Sequence, residues 1–364
     1  MSGNFSFSFS GDDIEDGGDQ NPTAPNISIP APQPSASAFP VQGKPLLAAT
    51  RHDLQHMLSQ LPSKVAYGIL DVDLDGSGTI RLPRRELWDV RVQLMAEDDG
   101  SDTEPGLGNH DVKTGVYEGG FKSWESSVDL VKVLSLSKAF LGDMNLAPRI
   151  IELGCGTALP SLALFQWSLS LRGHDDNCGL SLVLADYNPT VLQLVTLPNF
   201  ILCWALHERA GSQVLADAFS SEGELDLTPE VLKGFEEFLS NRRISLSFFS
   251  GAWSTEFADL VTSDKTSTTG NGSKRHTIIL GAETIYSPFA LSAFTQTIFS
   301  LMEQEREQGN AAEALVGAKK LYFGVGGSLD DFVTGARDLG ANVEELREET
   351  EGVRRGVVRC RLTH

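Results

Sequence analysis

Two glycines one residue apart follow a short apolar run in Arg149-Ile-Ile-Glu-Leu-Gly-Cys-Gly-Thr157. The run predicts a strand, the glycines a turn, and the residues beyond them a helix. Gly154 and Gly156 can take backbone angles closed to other residues, and they carry no side chain to hold a ligand away. A second apolar run, Leu180 to Ala185, ends in Asp186-Tyr187-Asn188. In doubly wound sheets an acidic residue at the end of the second strand grips a ribose. No third glycine follows Gly156, because Thr157, Ala158, Leu159 and Pro160 stand there. The loop therefore departs from the dinucleotide fingerprint and suits a ligand with a ribose but no phosphate at that point. S-adenosylmethionine is the ligand expected.

Three further segments carry groups suited to chemistry. Ser250-Gly-Ala-Trp253 follows a third apolar run, and its indole can stack on a purine or anchor the core. Gly281-Ala-Glu283-Thr-Ile-Tyr286 follows a fourth. A carboxylate and a phenol at the lip of one cleft can orient a nucleophile or accept a proton. Gly119-Gly-Phe-Lys-Ser-Trp-Glu125-Ser-Ser-Val128 opens a helix before the sheet begins, and reads as a wall or lid over the pocket. Glu125 there is equally explained as a carboxylate favoured by a helix N-terminus.

Two metal-like patterns fail on their own terms. Asp71-Val-Asp-Leu-Asp-Gly-Ser-Gly-Thr-Ile80 has the spacing of a calcium loop when started at Asp73. The twelfth position then needs a bidentate Glu and holds Arg84, so a β-turn is expected. His52 and His56 share one helical face without a third ligand, and a surface pair is expected.

These groups need a frame to converge. Strand candidates at 149–153, 181–185, 244–249, 277–281, 319–325, 342–348 and 354–362 alternate with helical segments, which implies a doubly wound, mostly parallel sheet. Ser123 to Phe140 predicts a helix. Asn188 before Pro189 predicts a cap and a first-turn proline, and Pro198 should break or kink the helix that follows. Ahead of this domain, 113–364, lie a disordered acidic tail over 1–45 and an extension over 46–112. In the extension, His52 to Leu61 predicts a short helix. Val65 to Val72 and Thr79 to Met95 predict strands, and Glu97 to Asp111 an acidic solvated loop. Segments 211–241, 262–274 and 303–319 read as insertions, the last a charged helix extension.

The 364 residues include 41% hydrophobic ones, enough for a sizeable core. A net charge of −20 repels phosphates and favours a basic protein partner over nucleic acid. The four cysteines, Cys155, Cys178, Cys203 and Cys360, form no CxxC, which points to a reducing compartment and no zinc site. No run of eighteen apolar residues predicts a membrane span.

Together the motifs Trp124-Glu125, Glu152-Leu-Gly-Cys-Gly156, Asp186-Tyr-Asn188, Gly251-Ala-Trp253 and Glu283-Thr-Ile-Tyr286 resemble methyltransferase family 16. Gly115-Val-Tyr-Glu-Gly-Gly-Phe-Lys-Ser-Trp-Glu125, Val195-Thr-Leu-Pro-Asn199 and Leu82-Pro-Arg-Arg-Glu-Leu87 look like its protein-histidine methyltransferases, over about residues 46–364. The resemblance implies a seven-strand Rossmann-like methyltransferase sheet, mostly parallel with one antiparallel strand. It implies methyl transfer from S-adenosylmethionine to a histidine imidazole nitrogen of a large-subunit ribosomal protein, by a monomer in the cytoplasm or nucleus. It also implies a cofactor pocket built from Trp124, Glu125, Ser126, Ser127 and Val128, from Glu152, Gly154 and Gly156, from Ala185, Asp186, Tyr187 and Asn188, and from Gly251, Ala252, Trp253 and Ala282. Glu283 and Tyr286 would be catalytic. Where the family often has glycine, this chain has Ala158. Neutral imidazole, with a pKa of about 6.5, is nucleophilic near neutral pH, whereas lysine must first lose a proton held to about 10.4. Lysine methylation, small-molecule methylation and a non-catalytic acidic adaptor are the alternatives.

Overall fold

The computed structural model describes residues 45–97, 119–143, 146–171, 179–264, 274–321 and 327–363, with Pro40 and Gly43. These residues belong to one unit, Ser35–His364. Most of the expected tail, the acidic run beyond Glu97, Cys178 and the loop at 265–273 lie outside them.

In chain order the elements are β1 (Thr50–His52), α1 (Leu54–Ser59), β2 (Lys64–Asp73), β3 (Thr79–Arg85), α2 (Leu87–Glu97), α3 (Glu125–Ser137), β4 (Leu146–Leu153), α4 (Leu159–Leu171), β5 (Leu180–Asp186), α5 (Pro189–Val191), α6 (Leu197–Glu208), α7 (Gln213–Ala218), β6 (Glu224–Asp226), α8 (Pro229–Asn241), β7 (Ile244–Ser250), α9 (Thr255–Ser263), β8 (Lys274–Ala282), α10 (Pro288–Glu307), β9 (Ala311–Lys319), α11 (Leu329–Asp338), β10 (Ala341–Glu349) and β11 (Arg355–Leu362). The main sheet has eight strands in the order β1-β7-β5-β4-β8-β9-β11-β10. Strands β7, β5, β4, β8 and β9 run parallel, and β11 inserts antiparallel between β9 and β10.

Strand alternation sorts the core into two layers. Ile150, Leu182, Leu184 and Phe248 face α3, α4, α6 and α8. Ile151, Leu153, Val183 and Phe249 face α9, α10 and α11. Covered on both faces, β4 and β5 are buried along nearly their whole length and read as mostly apolar runs, interrupted by Arg149, Glu152 and Ser181. Strand order reverses between β4 and β8, so the carboxyl ends of these strands frame a crevice.

Four expectations need correction. The sheet has an eighth strand: β1 pairs antiparallel with Phe248–Ser250 and covers the open edge of β7. Three residues are too short a run to show alternation. The strand expected through Met95 ends at Arg85, and Leu87, Val90 and Leu94 then recur at helical spacing to bury one face of α2. The strand expected at 319–325 is β9, six to eight residues earlier, and α10 stops at Glu307. Alanine-rich Ala311–Ala318 is a poor strand former by propensity, but it lies between β8 and β11 and is buried there from Ala314 to Ala318. Segment 211–241, expected as an insertion, is structured and packed into the fold. Its β6 pairs with β2 in a second sheet, ordered β3-β2-β6, and α8 buries Val231, Phe235 and Leu239 in the main core.

The Asp71–Ile80 segment is the β2–β3 hairpin, in which Asp75 pairs with Lys132 and Arg347. No cluster of metal-binding type occurs among the described residues. His52 and His56 share no helical face, since half-buried His52 ends β1, with its Nε2 2.8 Å from Ser250 Oγ, while His56 lies in α1. Helix Pro189–Gly211 is long and apolar enough to cross a membrane, but 78% of its most apolar window is buried inside this fold.

Candidate active site

The turn between β4 and α4 takes left-handed backbone angles, with φ of +63° at Gly154, +51° at Gly156 and +53° at Ala158. A Cβ at Gly154 would lie 2.7 Å from Thr284 Cγ2, and one at Gly156 3.0 Å from the Gly120 carbonyl. Glycine is therefore required at both for space as well as for conformation. Ala158 holds a strained angle where a glycine would be free. The Cys155 N–H donates to the Ala185 carbonyl at 2.9 Å, so the turn is fastened to the neighbouring strand.

Two carboxylates support this turn. Asp186 ends β5, and accepts the N–H of Gly156 at 3.0 Å and of Asn188 at 3.1 Å. Glu152, only 2% exposed, accepts the Ser161 N–H at 2.9 Å and so caps the first turn of α4. Burial, with a smaller push from nearby Asp186, outweighs the hydrogen bonding to Ser161 and carries Glu152 up to about 7. Burial likewise carries Asp186 up to about 6, against the backbone N–H groups that favour its charge.

Glu152, Gly154, Gly156, Asp186, Tyr187 and Asn188 line a cavity of about 340 Å³ with Ala252, Trp253 and Ala282. Trp124 and Ser127 enter it from the start of α3, and Glu283 and Tyr286 from the segment after β8. Glu283 also has a left-handed backbone, φ +56°, a strained state for a non-glycine residue of the kind found at functional sites. Its N–H donates to the Gly317 carbonyl at 3.0 Å, and its carboxylate accepts the Ser126 hydroxyl at 2.5 Å. At this end the Lys319 ammonium lies over the Trp124 ring, 5.5 Å from its centre.

Five expected pocket residues do not line the cavity. Glu125 is exposed on the first turn of α3, and Val128 packs into the core. Ser126 is buried against Glu283, and Ala185 is buried in β5. Gly251 makes room for the chain ahead of β1, since a Cβ there would lie 2.2 Å from the Ala48 carbonyl. That same chain supplies Pro40 and Leu46 to the cavity, which the sequence reading left in or beside a disordered tail. It is held by the Leu47 N–H donating to Tyr187 Oη at 3.0 Å, and by the Ala252 N–H donating to the Leu47 carbonyl at 2.9 Å. Lys319 was missed because the strand was expected to begin where it ends. With β9 placed correctly, the rule that ligands lie at strand carboxyl ends finds it.

The cavity fits an adenosine-bearing ligand. The turn offers bare backbone, Asp186 offers a carboxylate for a diol, and the Trp253 ring lies within 3.7 Å of the Cβ position of Gly154. Buried Trp253 Nε1 and Thr284 Oγ1 have no hydrogen-bond partner among the described residues, although both residues border the cavity.

No family model matches the sequence. The chain is 33% identical over 321 residues to histidine protein methyltransferase 1 of Schizosaccharomyces pombe, covering 86% of this chain and 85% of that one. It is 37% identical over 266 residues to histidine protein methyltransferase 1 of Saccharomyces cerevisiae, covering 69% and 67%. Among solved structures, the delta-N METTL16 MTase domain aligns with a TM-score of 0.35 at 10% identity, covering 75% of this chain and 96% of that chain. With a third of its residues shared along most of both chains, this protein belongs to the histidine protein methyltransferase 1 family.

Proposed function

We propose that this chain transfers a methyl group from S-adenosylmethionine to an imidazole nitrogen of a histidine in a large-subunit ribosomal protein. The observation that carries the reading is one cavity with a ribose-type carboxylate, Asp186, on the glycine turn, and a second carboxylate, Glu283, beyond it. When bound, S-adenosylmethionine supplies an electrophilic methyl group on a sulfonium sulfur.

The chain's own residues then position and exclude. Gly154 and Gly156 admit the ligand to the backbone, Asp186 accepts from the ribose hydroxyls, and Trp253 walls the purine. Glu283 accepts the N–H of the target imidazole and so leaves the other nitrogen unprotonated and free to attack. Tyr286 and Trp124 flank the ring and keep water out. Little covalent help is needed, so orientation dominates the rate. The net charge of −20 suits a basic ribosomal substrate. The same reading puts the enzyme in the cytoplasm or nucleus, where free thiols such as those of Cys155, Cys203 and Cys360 persist.

The test is incubation of the purified chain with methyl-labelled cofactor and large-subunit ribosomal proteins, followed by mass-spectrometric mapping. Label on one histidine supports the reading. Label on lysine makes the chain a lysine methyltransferase, and cofactor binding without transfer to any protein leaves it an adaptor.

A further inference from the structure

Pro198 lies near the start of α6 and has no N–H to give the Leu194 carbonyl four residues earlier. The helix does not break there. It widens into a π turn over Leu192–Thr196, and the Leu197 N–H donates to the Leu192 carbonyl, five residues back. The Leu194 carbonyl is taken instead by Arg85 Nη1 at 2.9 Å. Arg85 is only 4% exposed, and its Nε and Nη2 donate to Asp89 and Gln93, both at 2.7 Å.

The extra residue in a π turn rotates everything beyond it by roughly 100° relative to an unbroken α-helix. Ahead of the step and within it, Val191, Leu194 and Val195 join Phe121 and Val90 and Leu94 of α2 in one buried apolar cluster. At its end and beyond, Thr196 Oγ1 donates to the Gly156 carbonyl at 2.6 Å, and Asn199 Nδ2 donates to the Thr157 carbonyl at 3.0 Å. Asn199 Oδ1 in turn accepts the Arg85 N–H at 2.7 Å. Thr196 and Asn199 are both fully buried. The step therefore sets the angle at which Thr196 and Asn199 meet the glycine turn relative to the face that Val191, Leu194 and Val195 bury.

We infer that the Pro198 π turn, locked by Arg85, is a positioning device that sets the Gly154–Thr157 turn for the cofactor, and makes the N-terminal extension part of the cofactor site. The inference rests on the reading of that cavity as an S-adenosylmethionine site. Pro198, Thr196, Asn199 and Arg85 are positioning residues, acting through the carbonyls of Gly156 and Thr157.

Pro198→Ala restores an N–H for Leu194 and so favours an unbroken helix. Asn199→Asp keeps the acceptor for Arg85 and loses the donor to Thr157. The full chain is titrated with S-adenosylmethionine by calorimetry, and amide exchange over residues 150–160 is followed without ligand. Both variants should bind at least tenfold more weakly and exchange faster over Cys155–Ala158. Pro198→Ala should unfold no earlier than wild type, and its KM for cofactor should rise with kcat at saturation little changed. Phe235→Leu, a core change in α8 away from the cavity, should lower Tm and leave affinity unaltered. Wild-type affinity and exchange in both variants would overturn the inference, as would equal loss of affinity in Phe235→Leu. If the wild type fails to bind S-adenosylmethionine, the methyltransferase reading falls, and the exchange measurement alone decides the positioning role.

Discussion

Ser126 gives its hydroxyl hydrogen to Oε1 of Glu283 across 2.5 Å, and so fastens the first turn of α3 to the segment after β8. Gly317 on β9 lets α3 come this close, because a Cβ there would lie 3.0 Å from the Ser126 carbonyl. The carboxylate is thus held at the cavity wall by the Ser126 hydroxyl.

Glu283→Gln should therefore separate catalysis from cofactor binding. The amide can still accept from Ser126, so the fold persists. It presents a donor where the target N–H needs an acceptor. The expected result is a fall of about 10²-fold in kcat/KM for the protein substrate. Cofactor affinity should change by less than about twofold. Tyr286→Phe should cost less, because the ring still walls the pocket. Initial rates alongside calorimetry check this, and a loss confined to cofactor affinity would make Glu283 cofactor-facing.

Cofactor affinity should weaken in acid. Asp186 is carried up to about 6, so it turns neutral as pH falls through that value. A protonated carboxyl has one oxygen fewer to accept from a ribose diol. Calorimetric affinity for S-adenosylmethionine should drop roughly tenfold between pH 7.5 and 5. Asp186→Asn should bind weakly throughout, with that slope removed. A wild-type affinity flat over this range would remove Asp186 from the ribose.

The frame of this site was readable because its strands are buried on both faces. Leu180–Ala185 and Arg149–Leu153 could only be core strands, and the acidic residue and glycines at their ends followed. Asn188 and Pro189 declared their helix start through local hydrogen bonding, and the Asn188 side chain does accept the Thr190 N–H at 3.0 Å. What stayed hidden depends on contacts distant in sequence. Leu46 reaches the cavity on a segment held by Tyr187, 140 residues from Leu47, and by Ala252. Thr196 and Asn199 reach the glycine turn only through a π turn, and 3.6-residue periodicity contains no signal for one. Pro198 was the visible clue: it predicts a break or kink, and the helix answers with a π turn.

Glu152 should make the ligand-free protein lose stability as pH rises. Its folded value, about 7, lies above the ordinary 4.5, so the folded chain holds a proton that the unfolded chain has released between those values. Stability from this group is complete below about pH 4.5 and falls as pH climbs to 7. The shift corresponds to an effect on the order of 3 kcal/mol. Glu152→Gln keeps an acceptor for Ser161 and removes the titration. Relative to wild type, the variant should be more stable at pH 8 than at pH 5, as read from denaturant midpoints. An equal difference at both pH values would show that Glu152 is charged without penalty.

Lys319 should favour an uncharged target. Its ammonium lies over Trp124, and both line the end of the cavity that Glu283 and Tyr286 occupy. Lys122 also lines the cavity, Glu125 stands exposed nearby on α3, and Glu152 and Asp186 sit at the cofactor end. Glu283 attracts an imidazolium and Lys319 repels it, so the cation holds down the pKa of a bound histidine. Removing it with Lys319→Met should let the bound histidine protonate more readily. The acid limb of kcat should then move up by about 0.5 to 1 pH unit from a reference near 6.5. Lys319→Arg should restore the wild-type limb. A peptide with lysine in place of the target histidine should be methylated better by Lys319→Met than by wild type, because the same repulsion opposes an ammonium. The pH profile is the deciding measurement: an unmoved acid limb in Lys319→Met, with turnover intact, would leave Lys319 as a lid on Trp124 and nothing more.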